Sequence, residues 1–268
     1  MNLQVLDLGL IDYAPAWKLQ DEYAAEIAAG TRPPMLLLLE HPHTFTFGRK
    51  GHAENLLWSP EELTRRGVGV HWVDRGGDVT YHGPGQLVGY PLIPLSPISY
   101  RPNSLIPNSL IPNSLIPNSL IPNSYPDASS RIPDADYVGY VRKLEKTLIV
   151  ALARLGVVSG QRSGLSGVWV QADVYSRCAR CRPEDKAKPA KIAAIGVKVD
   201  AKGVTRHGFA LNVNPDMEYF DGIIACGLSE PVVALADLLD PVPAMERVKD
   251  EVAAAFRTHF GSDGTKTP

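Results

Sequence analysis

The residues best able to do chemistry in this 268-residue sequence are one cysteine and a few basic side chains beside glycines. Cys226 lies in DGIIACGLSEP, after apolar residues and before a glycine. A free cysteine is commonly a small buried hydrophobic residue, whereas a reactive one needs a nearby cation or imidazole to lower its pKa from about 8.5. His82, His207 and Lys191 are candidates for that group. Spacing along the chain does not decide between them, so both interpretations of Cys226 stay open.

The segment RGGDVTYHGPGQ, residues 75–86, is the glycine-rich part of the sequence. It matches neither the dinucleotide pattern G-x-G-x-x-G nor the P-loop pattern, and a predicted strand follows it, so no helix N-terminus is available for a phosphate. Glycines do let a backbone lie close against a ligand. With Arg75, Thr80 and His82 among them, the segment is either a plain hairpin loop or the wall of a site.

Cys178 and Cys181 form a C-x-x-C pair inside the charged stretch SRCARCRPEDKAKPAK. A structural zinc site needs four ligands, and the sequence has no second pair. We interpret the pair as incidental to a long hairpin loop, with recruitment of a histidine or redox sensitivity as alternatives. Three cysteines in a chain without a recognisable export signal favour reduced thiols over a disulfide framework.

The elements that must position these residues alternate between strands and amphipathic helices. A capping box over SPEELTRRG predicts a short helix between Ser59 and Gly67, and apolar spacing predicts a longer one from Tyr137 to Leu155, capped by Asp134 or Asp136. The pattern predicts one α/β or α+β domain spanning residues 1–268. The other predicted elements are strands at 3–8, 35–41, 68–73, 86–95, 167–171, 191–199 and 204–213, the last two as a hairpin, and helices at 16–30 and 245–256.

From Pro102 the pentapeptide PNSLI occurs four times in succession. Proline at every fifth position fits neither the helix period nor the strand period, and each proline removes an amide donor. Identical copies show no tailoring to a partner, so an insertion in a surface loop is favoured over a docking segment. We expect insertions at 99–134 and 174–190 and a flexible tail at 261–268.

Composition excludes several functional classes. The chain has a formal charge of −2, a hydrophobic fraction of 44% and a charged fraction of 21%. These values are typical of a soluble globular protein and not of a basic nucleic-acid-binding domain. No apolar run approaches the roughly 18 residues of a membrane span, and the first residues do not resemble a signal peptide. We therefore expect a cytoplasmic protein that binds neither nucleic acid nor membrane.

Four motifs, RGGDVTYHGPGQLVGY, KIAAIGVKV, RHGFALNV and ACGL, occur in this order. Together they resemble the lipoyl(octanoyl) transferases, the octanoyl-carrier-protein:protein N-octanoyltransferases of lipoate synthesis. EHPHTFTFGRK, residues 40–50, is similar to an earlier segment of that family. The resemblance covers about residues 5–95 and 135–235. It implies a mixed β-sheet with packed helices plus a smaller sheet, like the catalytic domain of biotin and lipoate ligases.

The resemblance also implies roles for individual residues. Cys226 would carry the acyl group as a thioester, and Lys191 would lower the pKa of its thiol. No metal and no cofactor would take part. The substrate would be bound by Arg75, Gly76, Gly77, Asp78, Val79, Thr80, Tyr81, His82, Ala194, Ile195, Gly196, Gly208, Phe209 and Ala210.

The implied reaction moves octanoyl from octanoyl-acyl carrier protein to a lysine of a lipoyl domain. The acceptors would be the lipoyl domains of 2-oxo-acid dehydrogenase complexes and the glycine cleavage H protein. Two alternatives are an ATP-dependent lipoate or biotin ligase of the same fold and a non-catalytic protein that binds lipoyl domains or carrier protein.

Overall fold

The computed structural model describes residues 2–95, 136–175, 178, 181, 183–224 and 230–261. Cys226, residues 262–268 and the whole predicted insertion at 99–134, with its PNSLI repeats, lie outside these ranges. None of the described helices is long and apolar enough to cross a membrane.

The described elements alternate between strands and helices, as the sequence pattern predicts. A 3₁₀ turn at Ala53–Asn55 and another at Met217–Gly222 accompany them. In chain order the elements are β1 Gln4–Leu10, α1 Tyr13–Ala28, β2 Met35–Glu40, β3 Thr44–Phe47, α2 Pro60–Arg65, β4 Gly69–Trp72, β5 Val79–His82, β6 Gln86–Leu92, α3 Tyr137–Arg154, β7 Ser159–Arg162, β8 Leu165–Val170, α4 Ala172–Tyr175, β9 Ala190–Val199, β10 Thr205–Asn212, α5 Leu235–Leu238 and α6 Met245–Phe260.

Within the described residues, seven strands form a large sheet in the order β1-β2-β6-β10-β9-β8-β7. Strand β1 runs parallel to β2, and the other neighbours are antiparallel, so the sheet is mixed. A smaller sheet has the order β4-β3-β5. The predicted fold class, a mixed sheet with packed helices plus a smaller sheet, is confirmed.

Helices cover both faces of the large sheet, which explains why β2 is apolar along nearly its whole length. Leu36 and Leu38 face the core beneath α3 and α6, while Leu37 and Leu39 face α1. Burial of each such leucine contributes about 1.5–3 kcal/mol. The four-residue spacing of Leu144, Leu148 and Leu152 aims α3 at the same core, and all three are fully buried.

Local capping signals locate two helices well. The Asp136 carboxylate accepts a hydrogen bond from Gly139 N at 2.7 Å, so Asp136 is the cap of α3. Ser59 Oγ accepts one from Glu62 N at 3.3 Å. Glu62 departs from the predicted capping box, because its carboxylate accepts hydrogen bonds from the Arg65 side chain.

The structure corrects the description of residues 75–86 as a single loop. Val79–His82 is strand β5 of the small sheet, paired with β3. Val79 and Tyr81 point into that sheet's core, and Thr80 and His82 point the other way. The glycines on both sides obscure this short alternation in the sequence.

The expectation of reduced thiols is wrong for Cys178 and Cys181, which form a disulfide. The two Cα atoms are 5.4 Å apart, within the range that a disulfide spans. Cys178 is fully buried against the core beneath α3 and α6. The pair lies in the connection between β8 and β9, which are antiparallel, so the predicted long hairpin is confirmed.

Candidate functional site

A cleft between the two sheets holds most of the residues that the sequence singles out. It encloses about 540 Å³, including space open to solvent. One wall is the hairpin of β9 and β10, and the other is β5 with the segment before it. The lining residues are Tyr13, Arg75, Gly76, Gly77, Thr80, His82, Tyr90, Ser166, Lys191, Ala194, Ile195, Gly196, His207, Gly208, Phe209 and Ala210.

Of the predicted site residues, Asp78, Val79 and Tyr81 lie away from the cleft lining. Val79 and Tyr81 are buried in the small-sheet core. The Asp78 carboxylate accepts hydrogen bonds from Asn55 Nδ2 at 2.6 Å and from its neighbour's amide, Val79 N, at 2.7 Å. Cys226 lies outside the described residues. All the other predicted residues line the cleft.

Residues 75–77, hereafter the wall segment, are tied to strand β9 through close backbone contact. Gly76 N donates to Val197 O at 2.9 Å. A Cβ on Gly196 would lie 2.9 Å from the Gly76 carbonyl oxygen, closer than side-chain carbons normally approach. Glycine at position 196 therefore sets how closely the two walls of the cleft meet.

A buried chain of hydrogen bonds begins at Arg75 and crosses beneath the cleft. The Arg75 guanidinium donates to the Thr46 carbonyl at 2.5 Å and to Thr46 Oγ1 at 2.9 Å. The Thr46 hydroxyl lies 3.3 Å from His82 Nε2 and donates to it. His82 Nδ1 in turn donates to Gln86 Oε1 at 2.9 Å.

The same series of hydrogen bonds continues into the large sheet. Gln86 Nε2 donates to Asn212 Oδ1 at 2.9 Å, and Asn212 Nδ2 donates to Val233 O at 3.1 Å. We call the series Arg75, Thr46, His82, Gln86, Asn212 and Val233 the polar chain. It links the wall segment to the stretch of backbone that follows Cys226 in the sequence.

His82 is held as a neutral imidazole. Burial lowers its pKa well below the ordinary value, and repulsion from His41 and Arg75 acts in the same direction. Both ring nitrogens are already engaged within the polar chain. A buried, fully hydrogen-bonded ring of this kind orients its neighbours and has no lone pair left to accept a proton.

Aromatic and imidazole rings close one end of the cleft. Tyr90 Oη donates to His41 Nε2 at 2.7 Å, and His41 Nδ1 donates to Ile11 O at 2.7 Å. Burial lowers the pKa of His41 to about 4. The Tyr13 ring stacks against His82 with centroids 6.0 Å apart. Tyr90, the last residue of the first motif, lines the cleft, and so do Tyr13 and Ser166, which no signal in the sequence marks.

Asp74 connects the wall segment to the β9–β10 hairpin. Its carboxylate accepts a hydrogen bond from His207 Nε2 at 2.7 Å, one from Arg206 Nη2 at 3.3 Å and another from Lys198. Burial alone would raise the pKa of Asp74, but the hydrogen bonds from His207 and Lys198 outweigh it and lower the pKa to about 2. Asp74, Lys198, Arg206 and His207 are called the Asp74 cluster below.

His207 adopts a backbone conformation that side chains other than glycine seldom take, with φ of 56°. Such a conformation costs about 1–3 kcal/mol and persists only where the surroundings impose it. Here Gln20 Oε1 accepts a hydrogen bond from His207 N at 2.7 Å, and Asp74 fixes the ring. The strain places the His207 ring at the cleft, and burial lowers its pKa.

Lys191 lies where strand β9 passes the residues that follow Cys226. Lys191 N donates to Pro231 O at 2.9 Å, and Val233 N donates to Lys191 O at 3.0 Å. Cys226 precedes Pro231 by five residues. A chain of that length spans at most about 18 Å. On the other side of the segment, Ile224 N donates to Asn55 O at 2.9 Å.

Comparison with known proteins gives a consistent result. A family model described as the lipoyl protein ligase A/B catalytic domain matches residues 12–105 and 126–257. An octanoyltransferase of Solibacter usitatus is 39% identical over 259 residues, which cover 97% of this chain and 91% of that protein. An octanoyltransferase of Chloroflexus aurantiacus is 40% identical over 260 residues, covering 97% of this chain and 94% of that protein.

Solved structures share the fold at low sequence identity. A bipartite lipoate protein ligase from Thermoplasma acidophilum matches with a TM-score of 0.63 and 15% identity, covering 99% of this chain and 85% of that chain. A lipoate-protein ligase A bound with ATP matches with a TM-score of 0.60 and 14% identity, covering 99% and 87%. Identities this low establish the fold alone.

Proposed function

Because the chain belongs to the lipoyl protein ligase A/B catalytic-domain family and is an octanoyltransferase of lipoate biosynthesis, we propose that Cys226 carries the octanoyl group as a thioester. The donor is octanoyl-acyl carrier protein. The acceptor is a lysine of a lipoyl domain, either in a 2-oxo-acid dehydrogenase complex or in the glycine cleavage H protein. The observation that carries this proposal is the pairing of Lys191 with Pro231 and Val233, close in sequence to Cys226, at the edge of the cleft.

The first half-reaction transfers the acyl group to the enzyme. The Cys226 thiolate, favoured by the Lys191 ammonium, attacks the carbonyl carbon of the donor thioester. A new carbon–sulfur bond forms, the bond to the carrier's sulfur breaks, and the carrier leaves as a thiolate that takes up a proton. One partner therefore departs before the other arrives, which is ping-pong catalysis.

The second half-reaction forms the amide. The neutral amine of the acceptor lysine attacks the carbonyl carbon of the Cys226 thioester and loses one proton. The carbon–nitrogen bond forms as the carbon–sulfur bond breaks, and the Cys226 thiolate is regenerated beside Lys191. Neither half-reaction consumes ATP, since the donor thioester is already activated.

The cleft suits an eight-carbon acyl chain. Ala194, Phe209 and Ala210 supply apolar lining. Burial contributes about 0.8 kcal/mol per CH₂ group, or about 5 kcal/mol for the whole acyl chain. Backbone amides near the glycines are candidates for holding the tetrahedral oxyanion. Gly76 N already donates to Val197 O, so the oxyanion donor is a different amide.

His82 has a structural part in this mechanism. Its two ring nitrogens are both engaged in the polar chain, and its pKa is lowered by burial. The ring therefore orients the wall of the cleft and does not carry a proton between the substrates.

The acidic carrier protein docks beside the wall segment. The main-chain amides of Arg49 and Lys50 donate to that segment at 3.0 Å, and both side chains are exposed. Arg65 and Arg66 are paired with Glu62, so they present less unpaired charge. Charge reversal at positions 49 and 50 should raise the KM for the carrier more than reversal at position 65 does. An unchanged KM at low salt would remove Arg49 and Lys50 from the docking surface.

The thioester is tested by incubating the enzyme with octanoyl-carrier protein and no acceptor. Intact mass should show one added octanoyl group, and peptide mapping should place it on Cys226. Cys226→Ser is the matched control and should form no thioester. Transfer to a lipoyl domain without any adduct would disprove covalent catalysis. A parallel reaction with ATP and free octanoate tests the ligase alternative, which requires that this mixture support transfer.

A further inference from the structure

Trp169 lies beside one cation on each neighbouring strand, Arg162 on β7 and Lys191 on β9. Strand β8, which carries it, runs between β7 and β9, and Trp169 pairs directly with Lys191 across the β8–β9 ladder. The Lys191 Nζ atom is 4.8 Å from the centroid of the indole ring, and the Arg162 guanidinium carbon is 4.7 Å from it. The indole is fully buried. Both distances fall within the range of cation–π attraction.

Within the described part of the chain, the Lys191 ammonium forms no ion pair, and its attractive contact is with the face of the indole ring. Arg162 is differently placed, because Glu230 Oε2 lies 3.1 Å from its guanidinium. Glu230 follows Cys226 by four residues in the sequence. The ring face therefore meets one cation that a carboxylate already neutralises and one that depends on the ring.

Strand β8 approaches strand β9 closely at Gly167, beside the Lys191 stem. Gly167 has φ of 114°, and a Cβ there would lie 2.7 Å from the Ala193 carbonyl oxygen and in ordinary contact, 3.5 Å, with Lys191 Cδ and Cε. The buried Glu145 carboxylate fixes this strand by accepting a hydrogen bond from Gly167 N at 3.0 Å. Arg142 and Gln161 hold the other carboxylate oxygen, each at 2.7 Å. A buried network thus locates the strand that presents the indole.

We propose that Trp169 is a positioning residue, whose π face holds the Lys191 ammonium in the place from which it favours the Cys226 thiolate. The proposal rests on the assignment of Lys191 and Cys226 under the proposed function. A lysine side chain has a flexible four-carbon stem, so without a partner its ammonium would spread over many rotamers. The ring restricts the ammonium but leaves its charge in place, whereas a carboxylate would neutralise that charge.

The test measures the reactivity of Cys226 without relying on octanoyl transfer. Iodoacetamide alkylation of Cys226 is followed by peptide mass mapping across a range of pH in the wild type, Trp169→Leu, Lys191→Met and the double variant. A cation–π contribution of about 0.5–2 kcal/mol predicts that Trp169→Leu slows alkylation at pH 7 by about 2- to 30-fold. The midpoint of the pH profile of alkylation should move to a higher pH. In the Lys191→Met background, Trp169→Leu should have no further effect.

Fluorinated tryptophan provides a second test that keeps the shape of the buried side chain. Replacing all tryptophans by tetrafluorotryptophan removes the negative ring face and should also slow alkylation. The same labelling of Trp169→Phe is the matched control, because it fluorinates only the other tryptophans and should leave the alkylation rate of that variant unchanged. Circular dichroism and the Tm establish which variants are folded.

Two results would overturn the proposal. One is an unchanged alkylation rate in the fluorinated wild-type protein. The other is an equal slowing by Trp169→Leu with and without Lys191, which would mean that the indole acts only through packing. Failure of the proposed function appears separately, as a wild-type enzyme that forms no octanoyl adduct while Cys226 alkylation still depends on Trp169 and Lys191.

Discussion

Replacing Asp74 by asparagine should weaken both the fold and the binding of the acyl donor. The carboxylate joins the wall segment to Lys198, Arg206 and His207 of the β9–β10 hairpin. Asparagine keeps the size and one acceptor but removes the charge. The variant therefore tests whether the Asp74 cluster sets the position of the cleft wall.

The magnitude follows from the pKa of Asp74, which is lowered from 3.8 to about 2. One pKa unit corresponds to about 1.4 kcal/mol, so the full shift is worth about 2.5 kcal/mol. Because the carboxylate is partly exposed, solvent screening reduces its contribution to about 1–2 kcal/mol. This contribution is complete above pH 3.8 and is lost as the pH falls through about 2. At pH 7 the variant should lose this whole contribution of the carboxylate, which would decrease the Tm by about 2–8 °C.

The assay is urea unfolding at pH 7, combined with steady-state octanoyl transfer. Asp74→Asn should raise the KM for octanoyl-carrier protein more than it lowers kcat, since the wall segment binds the donor in the proposed mechanism. Asp21→Asn is the matched control. Asp21 also contacts Arg206, but its side chain is 52% exposed. The loss in this control should therefore stay below about 1 kcal/mol.

Two results would refute the reasoning about Asp74. A loss of less than about 0.5 kcal/mol in Asp74→Asn would mean that the cluster contributes no net stability at pH 7. An equal loss in Asp21→Asn would mean that Arg206 determines the effect, and not the carboxylate that Lys198, Arg206 and His207 share.

Three further predictions concern the cleft, the buried histidines and the repeats. Gly196→Ala should raise the KM for the octanoyl donor about tenfold, because the new Cβ would lie against the Gly76 carbonyl; an unchanged KM would contradict this. The pKa of His41 is lowered from 6.5 to about 4. As the pH falls from about 6.5 to 5, only the unfolded state takes up a proton at this histidine, so the free energy of unfolding should decrease by about 2 kcal/mol. A flat urea-unfolding profile over that range would count against it. Deletion of Pro102–Ser124 should leave the Tm and the rate of octanoyl transfer unchanged, and a soluble but inactive variant would show that the repeats matter.

The sequence predicts those parts of the fold whose signals are local. Caps at Ser59 and Asp136 mark the starts of α2 and α3, and the turn after Val199 marks the β9–β10 hairpin. Strand β7, with the sequence SGQR, is missed because it has neither apolar residues nor a clear alternation. The Cys178–Cys181 disulfide is missed because its formation depends on the fold around the pair and not on the spacing of the cysteines.

The motifs predict most of the cleft lining, because each motif is a continuous segment that forms part of one wall. Tyr13 and Ser166 could not be predicted in the same way, since they lie on α1 and β8, outside the motifs, and only the fold brings them to the cleft. The partner of Lys191 is hidden for the same reason. Trp169 has the sequence context of an ordinary core residue, and only the ladder between β8 and β9 places it beside the lysine.

The polar chain from Arg75 to Val233 bears on how this enzyme can be engineered. Apolar side chains in a core can be exchanged for others of similar volume, and their packing adjusts by small displacements. Hydrogen bonds are directional, so the link from His82 to Gln86 fixes β5 of the small sheet against β6 of the large one, and the link from Asn212 to Val233 fixes the segment after Cys226 against β10. Stabilising substitutions beneath α3 and α6 should therefore leave substrate alignment intact, whereas one polar substitution along the chain would disturb it.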